Sequence, residues 1–307
     1  MADACFVAGD WGTSHLRLFL CDAEGAALDS AVGPGVAGVQ RPFAEVFESL
    51  MEPWESRHGA LPAVLCGMVG SSIGWTQAPY VACPALAESI IGGCMSLRSG
   101  RVQIVPGVRC KNRLGAPDFM RGEETQILGA AALDAALRRG RHLLCLPGTH
   151  TKWVMLREGI IEEFLTAPTG ELFGALRDHS VLVPDGSRND DAAGGPAFEE
   201  ALRRFNEFPQ VQVLHRLFEC RSRLLNGDLA APGASAFLSG LLIAADVGAA
   251  LDLFADSAVE QTVHLIGAPR LTQLYAAALE LRSHTARRLD GAAASLAGLT
   301  RVHQHAV

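Results

Sequence analysis

Apolar and polar positions near the start of the chain alternate in three short runs. Phe6-Val7-Ala8-Gly9-Asp10 leads into a Gly12-Thr13-Ser14 turn, and His15-Leu16-Arg17-Leu18-Phe19-Leu20 leaves it. Ala23-Glu24-Gly25 then reverses the chain into Ala26-Ala27-Leu28. Period-two alternation between Gly-containing turns predicts antiparallel strands. The same order returns later: Leu143-Leu144-Cys145-Leu146-Pro147, the turn Gly148-Thr149-His150, Lys152-Trp153-Val154-Met155-Leu156, and a reversal at Arg157-Glu158-Gly159 into Ile160-Ile161. Self-similarity at a long offset predicts a duplicated unit.

Between and after the repeats the pattern switches to helical spacing. Phe43, Val46, Phe47 and Leu50 fall on one face of a helix over 43–57. Ala63-Val64-Leu65-Cys66 reads as a strand running into Gly67-Met68-Val69-Gly70-Ser71-Ser72, leaving Trp75 and Tyr80 on a loop. Val102 to Pro106 is another strand, followed by a basic loop from Gly107 to Pro117 holding Arg109, Lys111 and Arg113. A helix is predicted from Gly122 to Leu137, with Glu123 and Glu124 in its first turn, where the positive end of the helix dipole favours acids. Further helices are predicted over 197–225, 235–251 and 271–281, with a strand at Thr262–Ile266 ending in Gly267-Ala268. The last helix, Ala292 to Leu299, has small side chains suited to close packing on Gly129-Ala130-Ala131-Ala132.

Length and composition set the scale. At 307 residues, two domains are expected, 1–116 and 117–307. Hydrophobic residues make up 49% and mean hydropathy is +0.20, enough apolar material for two cores. A net charge of -7 argues against a nucleic-acid partner, which needs a basic footprint. The eight cysteines form no Cys-x-x-Cys pair and read as reduced core thiols. With no leader pattern and no uncharged run of membrane-spanning length, the expected location is cytoplasmic, with no membrane partner.

Candidate chemistry gathers at the turns. Asp10-Trp11-Gly12-Thr13-Ser14-x-x-Arg17 joins an acid, a Gly turn, two hydroxyls and a guanidinium within eight residues. The acid can hold magnesium through water, and the amides, hydroxyls and Arg fork can bind phosphate oxygens. No Gly-x-x-x-x-Gly-Lys-Ser/Thr loop is present. Gly33-Pro34-Gly35-Val36-Ala37-Gly38 matches Gly-x-Gly-x-x-Gly, but no parallel strand with an acidic end follows. It reads as a turn, or as a loop through which backbone at Gly35 can approach a substrate. The Asp- and Asn-rich segment 184–196 lacks the Gly and Glu of an EF-hand calcium loop at the required places.

The series Asp-x-Gly-Thr-x-x-x-Arg, Gly-Glu-Glu-Thr, Gly-Thr-His and a strand ending in Gly-Ala resembles the actin, sugar kinase and heat-shock ATPase superfamily. Met120-Arg121-Gly122-Glu123-Glu124-Thr125-Gln126 and Leu146-Pro147-Gly148-Thr149-His150-Thr151-Lys152-Trp153 narrow the resemblance to 2-keto-3-deoxygalactonate kinases. So do Cys66 to Ser71, Gly74-Trp75, Ala78-Pro79-Tyr80, Thr169 to Phe173 and Leu238 to Ile243. The matches extend over nearly the whole chain. They depart at Ser72 and Ile73, where Arg and Gln are expected, and at Gln77, where Glu is expected.

This resemblance implies an α/β fold of two actin-like (ribonuclease H-like) lobes. Each would hold a copy of a duplicated mixed five-stranded sheet flanked by helices, with ATP in the interlobe cleft and a hinge near Gly129 and Gly298. It implies an ATP- and Mg2+-dependent kinase acting on the 6-hydroxyl of a sugar acid in galactonate catabolism. Asp10 would sit near the metal, with Gly12, Thr13, Ser14, Gly148, Thr149 and His150 on phosphates and Arg17 reaching the terminal phosphates. Gly267 and Ala268 would face adenosine. The general base would be Glu123, with Glu124 and Asp118 as alternatives. Gly35, Trp75, Tyr80, Lys111 and Arg113 are the candidate substrate residues. A homodimer is left open by the sequence.

Overall fold

The fold was obtained as a computed structural model and is described for residues 3–187, 194–255 and 261–306. Residues 188–193, inside the Asp- and Asn-rich segment, lie outside the described residues.

The first repeat forms β1 (Phe6–Trp11), β2 (His15–Cys21) and β3 (Ala27–Pro34). β1 pairs antiparallel with β2, and β2 with β3. Leu16, Leu18 and Leu20 are buried on one face of β2, as the alternation requires. On that face lies α1 (Phe43–His58), which buries Val46, Phe47, Met51 and Trp54. β4 (Ala63–Cys66) then runs parallel to β1.

The next segment is richer in strands than its sequence suggests. It holds β5 (Tyr80–Ala82), α2 (Ala87–Gly92), β6 (Met95–Leu97), β7 (Val102–Ile104), β8 (Gly107–Lys111) and β9 (Pro117–Met120). The expected basic loop from Gly107 to Pro117 is therefore a β-hairpin, with Lys111 paired opposite Pro117. Its strands are too short for alternation to reveal them, and the charged residues mask the pattern. β5, β8 and β9 form a separate three-stranded sheet, and β9 ends immediately before Arg121 and Gly122. α3 (Glu123–Leu133) starts there, so this small sheet fixes the point at which the helix begins.

The second repeat gives β10 (Arg141–Leu146), β11 (Thr151–Arg157) and β12 (Ile160–Ala167), followed by α4 (Thr169–His179). The predicted 197–225 helix is two helices, α5 (Pro196–Glu207) and α6 (Glu219–Asn226). Then come α7 (Ala234–Phe254), β13 (Thr262–Gly267), α8 (Pro269–Glu280), β14 (Thr285–Asp290) and α9 (Gly291–Ala306). Among the described residues, α7 alone has the length and apolarity of a membrane-crossing helix, and most of it is buried against α4, α5, α6 and α8.

The duplication is explicit in the strand orders. One sheet runs β3-β2-β1-β4-β7-β6 and the other β12-β11-β10-β13-β14. Removing β6 leaves the same five-strand order in both, the mixed sheet of the actin-like fold. By internal packing the chain forms two units: residues 1–140, 155–164 and 289–307, and residues 141–154 and 165–288. The first unit runs past residue 116 because α3 packs there with α9. A methyl group at Gly129 would overlap the Ala294 carbonyl, and one at Gly298 would overlap the Thr125 carbonyl. Small residues thus let the two helix backbones nearly touch, at the crossing their composition predicts.

No cysteine is in a disulfide. Cys21, Cys66, Cys145 and Cys220 are buried as expected of core thiols, but Cys5 is exposed and Cys83, Cys94 and Cys110 are partly exposed.

Candidate active site

In the first unit, the antiparallel register places Asp10 opposite Arg17. Their neighbours Trp11, Leu16 and Leu18 fill the core beneath α1, so Asp10 and Arg17 take the other face of the sheet. Ser295 of α9 donates to Asp10 Oδ2 at 3.5 Å. Burial raises the Asp10 carboxyl above its ordinary value, while the Arg17 charge and the Ser295 bond pull it back. Among the described residues no group of three or more His, Cys, Asp or Glu could cage a metal. A lone acid fits Mg2+, which keeps waters and phosphate oxygens as its other ligands.

The adjoining Gly12-Thr13-Ser14 turn is held from behind. The amides of Gly35, Val36 and Ala37 donate to the carbonyls of Ser14, Gly12 and Thr13 at 3.2, 3.0 and 3.1 Å. In a trans peptide the carbonyl and the next N–H point in opposite directions, so the Thr13 and Ser14 amides face away from this support. The side chains of both residues are exposed. The result is a fixed patch of amide and hydroxyl donors beside Asp10 and Arg17, suited to phosphate oxygens. Gly35 lies against this turn so closely that any side chain would strike its backbone.

The start of α3 is the other polar centre of this unit. Gly122, at φ +107°, caps the helix, and a side chain there would meet the Gly67 Cα at 3.3 Å. Gly67 itself, at φ +90°, lies against the Trp11 carbonyl and Asp10. Two left-handed glycines therefore bring β1, the end of β4 and the start of α3 together. Glu123 is partly exposed, and its Oε2 accepts the Arg121 N–H at 3.0 Å. Glu124 is fully buried and accepts the Gly122 N–H at 2.7 Å and the Thr125 hydroxyl at 3.0 Å. Burial, then the charge of Glu123, pushes the Glu124 carboxyl up to about 8 despite these bonds. A carboxyl raised this far stays largely protonated at neutral pH, so Glu124 is a poor proton acceptor there.

Arg121 ties the surrounding loops to this helix start. Its Nη2 donates to the Ala78 carbonyl at 2.8 Å, and its guanidinium lies 4.3 Å from the centre of the Tyr80 ring. Gly70 leaves room for Nη1, which a side chain there would approach to 2.8 Å.

The second unit carries a pocket of about 190 Å³. Phe173, Leu242, Ile243, Leu271 and Leu274 give it apolar walls, and Gly148, Thr169, Gly170, Ser239 and Arg270 add polar edges. The Gly148-Thr149-His150 turn is held by α4: the Glu171 amide donates to the Thr149 carbonyl at 2.9 Å, and His150 Nε2 lies 2.7 Å from Glu171. Behind the pocket, Asp246 accepts from Trp153 Nε1 at 2.8 Å, the Thr169 hydroxyl at 2.7 Å and the Tyr275 hydroxyl at 2.6 Å. Burial raises its carboxyl, and these three bonds oppose the rise. One carboxylate thereby joins β11, α4, α7 and α8 around the pocket.

The chain matches the family model for 2-keto-3-deoxy-galactonokinase over residues 10–302. The chain belongs to the 2-keto-3-deoxy-galactonokinase family. It is 37% identical over 301 residues to a Rhizobium meliloti protein named as a probable 2-dehydro-3-deoxygalactonokinase, covering 96% of this chain and 95% of the relative. It is 33% identical over 305 residues to the Escherichia coli 2-dehydro-3-deoxygalactonokinase, covering 99% of each. A crystal structure from Sinorhizobium meliloti, named for the same activity, superposes with a TM-score of 0.83 at 35% identity over 98% of both chains. The chain is thus an enzyme of a sugar-acid kinase family, for which ATP is the phosphoryl donor.

Within this family frame, the residues singled out from sequence fall into several places. Asp10, Gly12, Thr13, Ser14 and Arg17 form one cluster, with Gly35 supporting the turn. Gly122 and Gly67 bring the start of α3, and with it Glu123 and Glu124, to the same side of the unit. Asp118 is buried on β9 and accepts from Asn112 Nδ2 at 3.1 Å. Trp75 packs on Trp11 and Phe47, with ring centres 6.4 and 5.5 Å away, and so contributes to the core. Tyr80 supports Arg121, and Arg113 pairs with Glu163 at 2.9 Å. Lys111 is exposed at the end of β8. In the second unit Gly148 lines the pocket, whereas Gly267 packs on Pro147 and Ala268 caps α8. From this stretch the pocket is lined instead by Arg270 and Leu271, just beyond.

Arg121 and Asp246 are absent from the residues singled out by sequence. Each had a signal: Arg121 stands in the Met-Arg-Gly-Glu-Glu string, and Asp246 is one of two acids in an otherwise apolar helix.

Proposed function

We propose that this protein transfers the terminal phosphoryl group of ATP to the 6-hydroxyl of 2-dehydro-3-deoxy-D-galactonate, in the cytoplasm, as a step of galactonate catabolism. The reading rests above all on Glu123, a partly exposed carboxylate whose position is fixed by a glycine-capped helix and by the Arg121 amide. Phosphoryl transfer needs positioned groups and charge neutralisation more than covalent chemistry. Glu123 accepts the proton as the acceptor oxygen bonds to phosphorus and the bond to the ADP oxygen breaks. Arg17 and the Thr13 and Ser14 donors take up charge on the phosphoryl oxygens. Asp10 is the anchor for Mg2+, which when bound supplies further positive charge to the phosphates. The apolar pocket of the second unit receives the adenosine, with the Gly148-Thr149-His150 turn beside it for phosphate. A carboxylate accepting a proton late in the transfer needs no large shift from its ordinary value.

A panel of keto-deoxy sugar acids with ATP and Mg2+ tests this reading. Substrate-dependent ADP release and a 6-phosphorylated product are expected with the galacto compound. ADP release without an acceptor, or none across the panel, would sink it. A kinase for a related sugar acid is the second reading, favoured by Ser72, Ile73 and Gln77. Ile73 is 61% exposed where a polar residue is expected, and polar groups in a pocket discriminate strongly between close substrates. A different preferred acid in the same panel would establish it.

A further inference from the structure

The small sheet brings two thiols together. β5 and β8 run parallel, with Tyr80 opposite Gly107, Val81 opposite Val108 and Ala82 opposite Arg109. The ladder continues one step, since the Cys83 amide donates to the Arg109 carbonyl at 2.8 Å. That step sets Cys83 opposite Cys110 on the same face of the sheet. Neighbouring strands lie about 4.8 Å apart, and a disulfide spans Cα separations of about 4.4–6.8 Å. The two side chains interact across the strands. Cys110 Sγ is also 3.2 Å from the Phe164 carbonyl oxygen.

Access separates this pair from most of the other cysteines. Both residues are partly exposed, whereas Cys21, Cys66, Cys145 and Cys220 are buried. Cys5 is exposed and Cys94 partly exposed.

We propose that Cys83 and Cys110 are a thiol-oxidation site, closing to a reversible cross-strand disulfide under peroxide. In the first step one of the two thiolates attacks the peroxide O–O bond, giving a sulfenic acid and, after proton uptake, water. The other thiol then attacks that sulfur, the S–O bond breaks, and a second water leaves. Two thiols and one hydrogen peroxide become one disulfide and two waters. A small dithiol reverses the step by exchange.

The test is peroxide titration of the folded protein, alkylation of remaining thiols, digestion and mass spectrometry. A linked Cys83–Cys110 peptide pair, lost on dithiothreitol treatment, is expected before any other cysteine is modified. In Cys83→Ser or Cys110→Ser, a dimedone-trapped sulfenic acid should accumulate at the remaining thiol of the pair. The proposal is overturned if both residues remain alkylatable after Cys5 has been oxidised, or if either links to another cysteine. It is equally overturned if neither variant traps one. The wild-type map decides alone should the variants fail to fold.

Discussion

Glu123 and Glu124 are consecutive, yet their carboxylates occupy opposite environments. Glu123 is partly exposed on the Arg121 amide, and Glu124 is fully buried on the Gly122 amide and the Thr125 hydroxyl. The difference has a thermodynamic signature. Glu124 rises from 4.5 to about 8 because burial disfavours its charge. The folded state therefore keeps a proton that the unfolded chain releases as pH rises from about 4.5 to about 8. This contribution to stability is fully present below 4.5 and is lost through that window. Glu124→Gln cannot ionise, so its stability relative to wild type should grow by roughly 1.4 kcal/mol per pH unit at most across the window, then level off. Urea unfolding at pH 5 and pH 9 checks this; a constant difference would count against a neutral Glu124.

Arg121 holds the Ala78–Tyr80 segment to the residue before the α3 cap, through charged hydrogen bonds to the Ala78 and Pro79 carbonyls at 2.8 and 3.4 Å and a ring contact. A hydrogen bond to a charged group contributes about 1.5–3 kcal/mol. Arg121→Met should therefore raise KM for the sugar acid about 10- to 100-fold, with a smaller effect on kcat. Arg121→Lys, able to reach the Ala78 carbonyl but not to reproduce the planar fork, should fall between. Steady-state kinetics in both substrates checks this, and an equal rise in KM for ATP would contradict it.

The crossing of α3 and α9 makes a prediction that opposes helix propensity. Alanine is better than glycine within a helix by about 1 kcal/mol, but at Gly129 its methyl would overlap the Ala294 carbonyl. Gly129→Ala should therefore destabilise the protein by about 1–3 kcal/mol. A midpoint in denaturant at or above that of wild type would show that the helices do not approach this closely.

The three-strand unit that opens each sheet was legible because each Gly-Thr turn sits between runs whose alternation is long enough to read. β5, β6, β8 and β9 were not, since strands of three to five residues carry too few alternations to stand out from a charged loop. The cluster of Asp10, Arg17 and the first turn was readable because its members are local in sequence. The Asp246 network was not, because its partners on β11, α4 and α8 meet only after folding. Lys111 and Arg113 show the converse: two cations close in sequence, one of which is already paired with Glu163.

The most direct measurement compares Glu123→Gln and Glu124→Gln side by side, recording kcat and ATP affinity. If Glu123 takes the proton, its variant loses about 10²–10⁴-fold in kcat while still binding ATP, and Glu124→Gln stays within about tenfold of wild type. The reverse order, or equal losses, would contradict the assignment of the base.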